Sequence, residues 1–257
     1  MDSEEKIEAS DARVPKGAVD AGVDEGVGVS EGSGGASALI KTFVIRNGRM
    51  TDVQRQAIEE FGSEYIVPYS LRPLEATALF PLPRPLVMEI GFGMGKATWQ
   101  IARDRPRFNY LGVEVHSPGV GKLIMEIREN KLDNLKIIQH DAVEVLATMI
   151  PEGSLAGLHI FYPDPWPKKR HHKRRLMRHP IVDLMISRLK AGGYLYFVTD
   201  IEEYGQSTLE LLSSCAGISN RHEAFAPRVE WRPETKFEAK ARKASRNAFE
   251  LYFTKND

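Results

Sequence analysis

The chain has 257 residues, 42% of them hydrophobic and 27% charged, and its acids and bases balance to a formal net charge of zero. That length supports one sizeable core with an appendage, and a single cysteine, Cys215, excludes an internal disulfide framework. No stretch approaches the ~18 apolar residues of a membrane span, and the acidic N-terminus lacks the apolar region of a signal peptide, so a cytoplasmic protein with no membrane association is expected.

The zero average conceals a strong asymmetry. Residues 1–38 hold nine acids, three bases and no aromatic residue. Such a Gly- and Ser-rich stretch cannot bury enough apolar surface to offset the entropy of ordering it, and a disordered acidic tail is expected there. Residues 39–85 are expected to form an N-terminal extension packing near the active site. Within it, Thr51 with Gln54 three residues on predicts a capped helix running to about Phe61, ended by Gly62. The proline-spaced stretch 68–85 reads as a surface wrap with a short helix near 74–79.

From Leu86 onward short apolar runs alternate with amphipathic ones. Strands are predicted at 86–90, 110–115, 135–138, 158–162 and 194–198, with helices near 96–103, 120–130, 143–149, 180–189 and 202–215. Gly192-Gly193 are read as the end of the 180–189 helix. A last strand at 249–254 is expected to pair antiparallel with a segment near 223–225. Strands alternating with helices imply an α/β fold, a doubly wound, mostly parallel sheet with an antiparallel edge, spanning residues 86–257. Ligands in such sheets lie beyond the carboxyl ends of the strands.

Chemistry gathers at those ends. Glu89 and the loop Gly91-Phe92-Gly93-Met94-Gly95 follow the first strand, and glycines at this spacing let the backbone approach a ligand closely. The third glycine comes one residue too early for a dinucleotide fingerprint. Glu114 ends the second strand, 23 residues past Gly91, a spacing that suits a carboxylate on ribose hydroxyls. Asp141, Asp164 and Asp200 follow the third, fourth and fifth strands. One acid at a strand end is as well read as a helix cap, but five at one edge suit a cationic ligand rich in donors, of which S-adenosylmethionine is an example.

The fourth strand leads into Tyr162-Pro163-Asp164-Pro165-Trp166. The prolines stiffen the loop and push Tyr162 and Asp164 toward extended backbone. Trp166 reads either as a stacking face for a base, worth roughly 1–3 kcal/mol, or as a core side chain pinning the loop. Residues 168–178 then hold seven Lys or Arg and no acid. They lead into the helix predicted from Pro180, where cations oppose the macrodipole at ~0.3–1 kcal/mol each, so a polyanionic partner explains them better than local stability does. A metal is not expected, because no cysteine accompanies His171, His172 or His179.

Glu89-Ile-Gly-Phe-Gly-Met-Gly95, Gly112-Val-Glu-Val-His116, Pro163-Asp-Pro-Trp166 and the basic run together resemble the bacterial tRNA (guanine-N7)-methyltransferase family, a class of S-adenosylmethionine-dependent enzymes with a Rossmann-like sheet. Gly48-Arg-Met-Thr51, Val198-Thr-Asp200 and Thr235-Lys-Phe-Glu238 share the resemblance, which covers about Phe43 to Thr254. Pro167 departs from it, standing where histidine is more usual.

The resemblance implies that Glu89, Gly91, Gly93, Glu114, Asp141 and Asp164 contact S-adenosylmethionine and that Asp164 is catalytic. It implies tRNA contacts from Lys168, Arg170, His171, His172, Lys173, Arg174 and Arg175, with Asp200, Thr235, Lys236, Phe237 and Glu238 also on the substrate. The expected partner is tRNA, with no obligate protein partner and a monomer or homodimer. The rivals are an adenine-N6 methyltransferase, whose Asp/Asn-Pro-Pro-aromatic loop Asp-Pro-Trp does not match, and a non-catalytic RNA-binding protein on the same fold.

Overall fold

The computed structural model describes residues 41–43, 48–234, 238 and 247–257. The expected tail, 1–38, and Thr235 to Phe237 lie outside the described residues. Helix α1 (Asp52–Tyr65) begins with the predicted box: the Thr51 hydroxyl accepts from the Gln54 amide at 3.3 Å, and the Gln54 side chain accepts from the Thr51 amide at 2.9 Å. Gly62 does not end it. The helix runs on to Tyr65, and the Ile66 amide donates back to the Gly62 carbonyl at 2.8 Å. Ile66 and Val67 then bridge to Ile137 and cover that edge of the sheet.

A short helix α2 (Ala76–Leu79) precedes the alternating region: β1 (Leu86–Ile90), α3 (Lys96–Asp104), β2 (Asn109–Val113), α4 (Ser117–Glu129), β3 (Leu135–Ile138), α5 (Ala142–Thr148), β4 (Leu155–Phe161), α6 (Ile181–Arg188), β5 (Leu189–Thr199), α7 (Glu202–Ser214), β6 (Ile218–Asn220) and β7 (Phe249–Lys255). The sheet order is β3-β2-β1-β4-β5-β7-β6. β1 to β5 are parallel, and β7 runs antiparallel to both neighbours. The doubly wound expectation therefore holds, with the order reversing between β1 and β4.

Alternation along the strands divides the core in two. Met88, Leu111, Leu158, Leu195 and Phe197 face a cluster shared with α5, α6 and α7, while Val87, Tyr110, Phe161, Tyr194 and Tyr196 face one shared with α1, α3 and α4. Each fully buried aliphatic or Phe side chain contributes ~1.5–3 kcal/mol. Glu89 stands in phase with Val87 and is buried on that second face.

Three expectations need correction. β7 pairs with β5 and β6 rather than with 223–225; the Phe225 ring meets Phe249 edge-on, and the Ala226 amide that follows donates to the Glu250 carbonyl at 2.7 Å. Gly192 and Gly193 lie inside β5: partners shift from Leu155↔Leu189 to Gly157↔Tyr194, and Gly192 at φ +67° absorbs the extra residues as a bulge. The basic run does not start α6. It forms a 3-10 helix of its own, Lys169–Arg174, and α6 begins later with Asp183 in its first turn, so the macrodipole penalty does not apply to most of these cations.

Candidate active site

Because β1 to β5 are parallel, their carboxyl ends bring Glu89, Glu114, Asp141, Asp164 and Asp200 to one edge, with β1 and β4 flanking the point where the order reverses. The loop after β1 holds Gly91, Gly93 and Gly95 at φ +72°, +59° and +72°, a backbone that other residues adopt only at a cost. A Cβ on Gly91 or Gly93 would meet nothing within 4 Å, so that side of the loop is open to a ligand. Beneath it α4 packs backbone to backbone, and a Cβ on Gly119 would stand 1.9 Å from the Gly93 carbonyl oxygen.

Glu114 ties this loop to β2. One carboxylate oxygen accepts from the Gly93 amide at 2.8 Å, and the other accepts from the Val115 and His116 amides at 2.7 and 3.0 Å. Three of roughly four acceptor positions are thus taken, leaving room for a hydroxyl. Glu89 is 5% exposed, and burial pushes its carboxyl up to about 8, with the Thr98 hydroxyl opposing the rise and the Glu114 charge adding to it. No basic side chain pairs with it among the described residues. Asp141 caps α5 by accepting from the Val143 amide at 2.8 Å, and burial raises its carboxyl as well. Tyr69, from the stretch read as a wrap, stacks at 3.6 Å on neighbouring His140, a contact the sequence did not signal.

Asp164 is exposed beyond β4, between Tyr162 at φ +51° and Trp166 at φ +46°. Tyr162 is therefore left-handed, contrary to the extended backbone expected before proline, while its amide still donates to the Val198 carbonyl at 2.8 Å. The strand continues to that hydrogen bond, and the chain must turn at once to leave the sheet. Trp166 donates from its indole to the Thr42 carbonyl at 3.2 Å and carries the Arg174 guanidinium 5.0 Å above its ring. A Cβ on Gly48 would meet His116 Nε2 at 2.5 Å. The N-terminal extension is therefore fixed at Trp166, after β4, and at His116, after β2.

The cationic run divides. Lys168, Lys169, Arg170 and Lys173 are exposed, and His171, His172 and Arg174 half-buried. The His171 imidazole is lowered by desolvation, then by the charges of Arg170, Arg174, Lys168 and Lys173. Arg175 departs from its expected role on RNA. It is 5% exposed, donates to the Pro165 carbonyl at 2.9 Å and to Glu203 at 2.9 and 2.5 Å, and packs on Tyr204, so its charge is spent inside the protein. Cys215, which no sequence spacing connects to a histidine, lies with His179 and Asp183 in a trio whose ligand atoms are all within 4.8 Å. His179 already bonds Asp183 at 2.8 Å and the thiol donates to the Leu211 carbonyl at 3.2 Å.

A family model described as "Putative methyltransferase" matches residues 83–251. The tRNA (guanine-N(7)-)-methyltransferase of Neisseria gonorrhoeae is 45% identical over 219 residues, covering 85% of this chain and 92% of that one. Its counterpart in Acidovorax sp. is 49% identical over 216 residues, 84% and 86% of the two chains. The chain belongs to the tRNA (guanine-N7)-methyltransferase family. The crystal structure of the 16S rRNA methyltransferase KamB shares the fold, with a TM-score of 0.51 at 14% identity over 82% of this chain and 97% of that one.

The site of this family member fits S-adenosylmethionine. A buried carboxyl group with no cationic partner among the described residues, Glu89, suits a positively charged group, an open glycine loop suits close backbone approach, and Glu114 retains acceptor capacity. Glu238 is the described residue of the Thr235–Glu238 set; it accepts from Arg232 at 2.8 and 3.1 Å and pairs with Arg228 at 3.5 Å. Arg232 and Glu250 were not singled out in the sequence. Glu250 gave a signal, since a charge at a core-facing position of an alternating strand demands a buried partner.

Proposed function

We propose that this chain transfers the methyl group of S-adenosylmethionine to N7 of a guanine in the variable loop of tRNA, giving 7-methylguanosine. The observation that carries the reading is the placement of Asp164: an exposed carboxylate at the end of β4, next in the sheet to the strand that bears the glycine loop, and directly before the cationic 3-10 helix. When bound, the cofactor supplies an electrophilic methyl group on a sulfonium.

Guanine N7 offers an in-plane lone pair and carries no proton, so the protein has no base catalysis to perform. Its work is alignment and exclusion of water. Asp164 accepts hydrogen bonds from the guanine N1–H and amino group and stabilises the positive charge that the ring acquires. Glu89, Gly91, Gly93, Glu114 and Asp141 hold the cofactor, while Asp200 and Thr235–Glu238 hold the base. Lys168, Arg170, Lys173 and Arg174, with His171 and His172, engage the phosphates. The enzyme works in the cytoplasm without an obligate protein partner, as a monomer or homodimer; among the described residues no helix is long and apolar enough to cross a membrane.

Incubation of the chain with unmodified bulk tRNA and methyl-labelled S-adenosylmethionine, followed by nucleoside analysis, tests this. Labelled 7-methylguanosine is expected. N6-methyladenosine, or cofactor binding with no product, would overturn the reading.

A further inference from the structure

Arg232 is fully buried, an unusual position for a guanidinium. Its Nε donates to the Tyr196 hydroxyl at 3.0 Å, its two terminal nitrogens grip Glu238 at 2.8 and 3.1 Å, and Nη2 also donates to Glu250 at 2.6 Å. The Tyr196 hydroxyl donates to the other oxygen of Glu250 and closes the ring. Arg228 braces the same unit from outside, donating to the Arg232 carbonyl at 2.8 Å. The guanidinium also lies 5.9 Å from the Phe161 ring centre. Burial raises the Tyr162 hydroxyl to about 12, and the Arg232 charge is the foremost influence opposing it.

The sheet does not need this cluster. β5 and β7 are already joined over six register pairs, Tyr194↔Thr254 to Thr199↔Phe249. A buried ion pair is a poor source of stability beside apolar packing of equal volume, whereas a planar fork on a carboxylate fixes geometry. What the cluster joins is informative: Phe161 and Tyr162 lead directly into Asp164, and Glu238 closes the Thr235–Glu238 segment.

We propose that Arg232 is a positioning residue that locks Glu238 against the Phe161–Tyr162 strand end, so that Glu238 and the Asp164 loop present a single surface to the guanine. The inference rests on the function proposed above. Arg232→Lys keeps the charge but loses the fork, and Tyr196→Phe removes the hydroxyl that accepts from Arg232 and donates to Glu250 while preserving the packing.

Rates are measured per cofactor-binding site, titrated by calorimetry, so that unfolded protein is not counted. Arg232→Lys is expected to lower kcat/KM for tRNA about 10²-fold, as a small misplacement of reacting groups does. Tyr196→Phe should lower it about 10- to 10²-fold, the worth of a hydrogen bond to a charged group. Cofactor affinity in both should stay within about twofold of the parent, as for distant sites. A purely structural role would reduce the number of sites and leave kcat and KM per site at parental values, and that result overturns the proposal. Should Arg232→Lys fail to fold, Tyr196→Phe decides alone. A parent protein that makes no 7-methylguanosine defeats the functional reading together with this one; a parent that turns over normally beside unaffected variants defeats this one only.

Discussion

Arg175 grips Glu203 through both terminal nitrogens, at 2.9 and 2.5 Å, while its Nε holds the Pro165 carbonyl at 2.9 Å. The last arginine of the basic run thus ties the Asp164 loop to α7 rather than facing solvent. Arg175→Ala should cost about 1–3 kcal/mol of stability, as for hydrogen bonds to charged groups, read by denaturant unfolding, with little change in the salt dependence of tRNA binding. Arg170→Ala should behave oppositely: unchanged stability and a slope of log K against log salt shallower by about 1. A shared phenotype for the two variants would refute the division of the run.

Asp164 is exposed, so Asp164→Asn should leave folding intact. Removing the charge proposed to balance the methylated ring should slow transfer roughly 10²–10³-fold, the scale of losing one preorganised electrostatic contact. Single-turnover rates with saturating cofactor and tRNA provide the check, and a near-parental rate would exclude the electrostatic role.

Glu89 gives the cofactor site a pH dependence. Its carboxyl sits at about 8 in the folded chain against an ordinary 4.5. Between those values the folded state binds more protons than the unfolded one, so its contribution to stability is fully present below about 4.5 and is lost as pH rises through about 8. A cationic ligand favours the charged form instead. The Kd for S-adenosylmethionine should therefore tighten by up to about tenfold per pH unit between about pH 6 and pH 8 and level off above. Calorimetry across that range on the parent and on Glu89→Gln, which should lose the dependence, tests the assignment.

Gly119 lets α4 support the glycine loop by direct backbone contact. In Gly119→Ala the new Cβ would lie 1.9 Å from the Gly93 carbonyl oxygen, so loop and helix must separate. Overpacking of this kind costs about 1–3 kcal/mol. The variant should lose cofactor affinity and thermal stability together; parental affinity would show that the loop is not held from below.

The sequence carried the sheet well because β1 and β3 are bounded apolar runs, and their limits, Leu86–Ile90 and Leu135–Ile138, coincide with the predicted ones. It failed where one residue type serves two ends. Gly62 and Gly192-Gly193 look like helix stops, yet one lies within α1 and the others form a bulge in β5, since glycine marks close packing and positive φ alike. β6 is three residues long, Ile218–Asn220, too short to show a period. In the site, the strand-end acids were legible because parallel strands share one carboxyl edge. The Arg232–Glu238–Glu250 cluster was not, because its members meet only after β7 enters the sheet. Arg175 was indistinguishable from its neighbours because composition gives a charge but not its direction.

Tyr162 and Trp166 hold left-handed backbone on either side of Asp164, each at a cost on the order of 1–3 kcal/mol. Arg175 from one side and Thr42 from the other keep the turn sprung. A carboxylate braced in this way cannot travel to a base buried in a folded RNA. On the function proposed above, the movement is expected of the nucleic acid: the guanine unstacks and swings out to the carboxylate, and tRNAs whose variable loop yields most readily are methylated first.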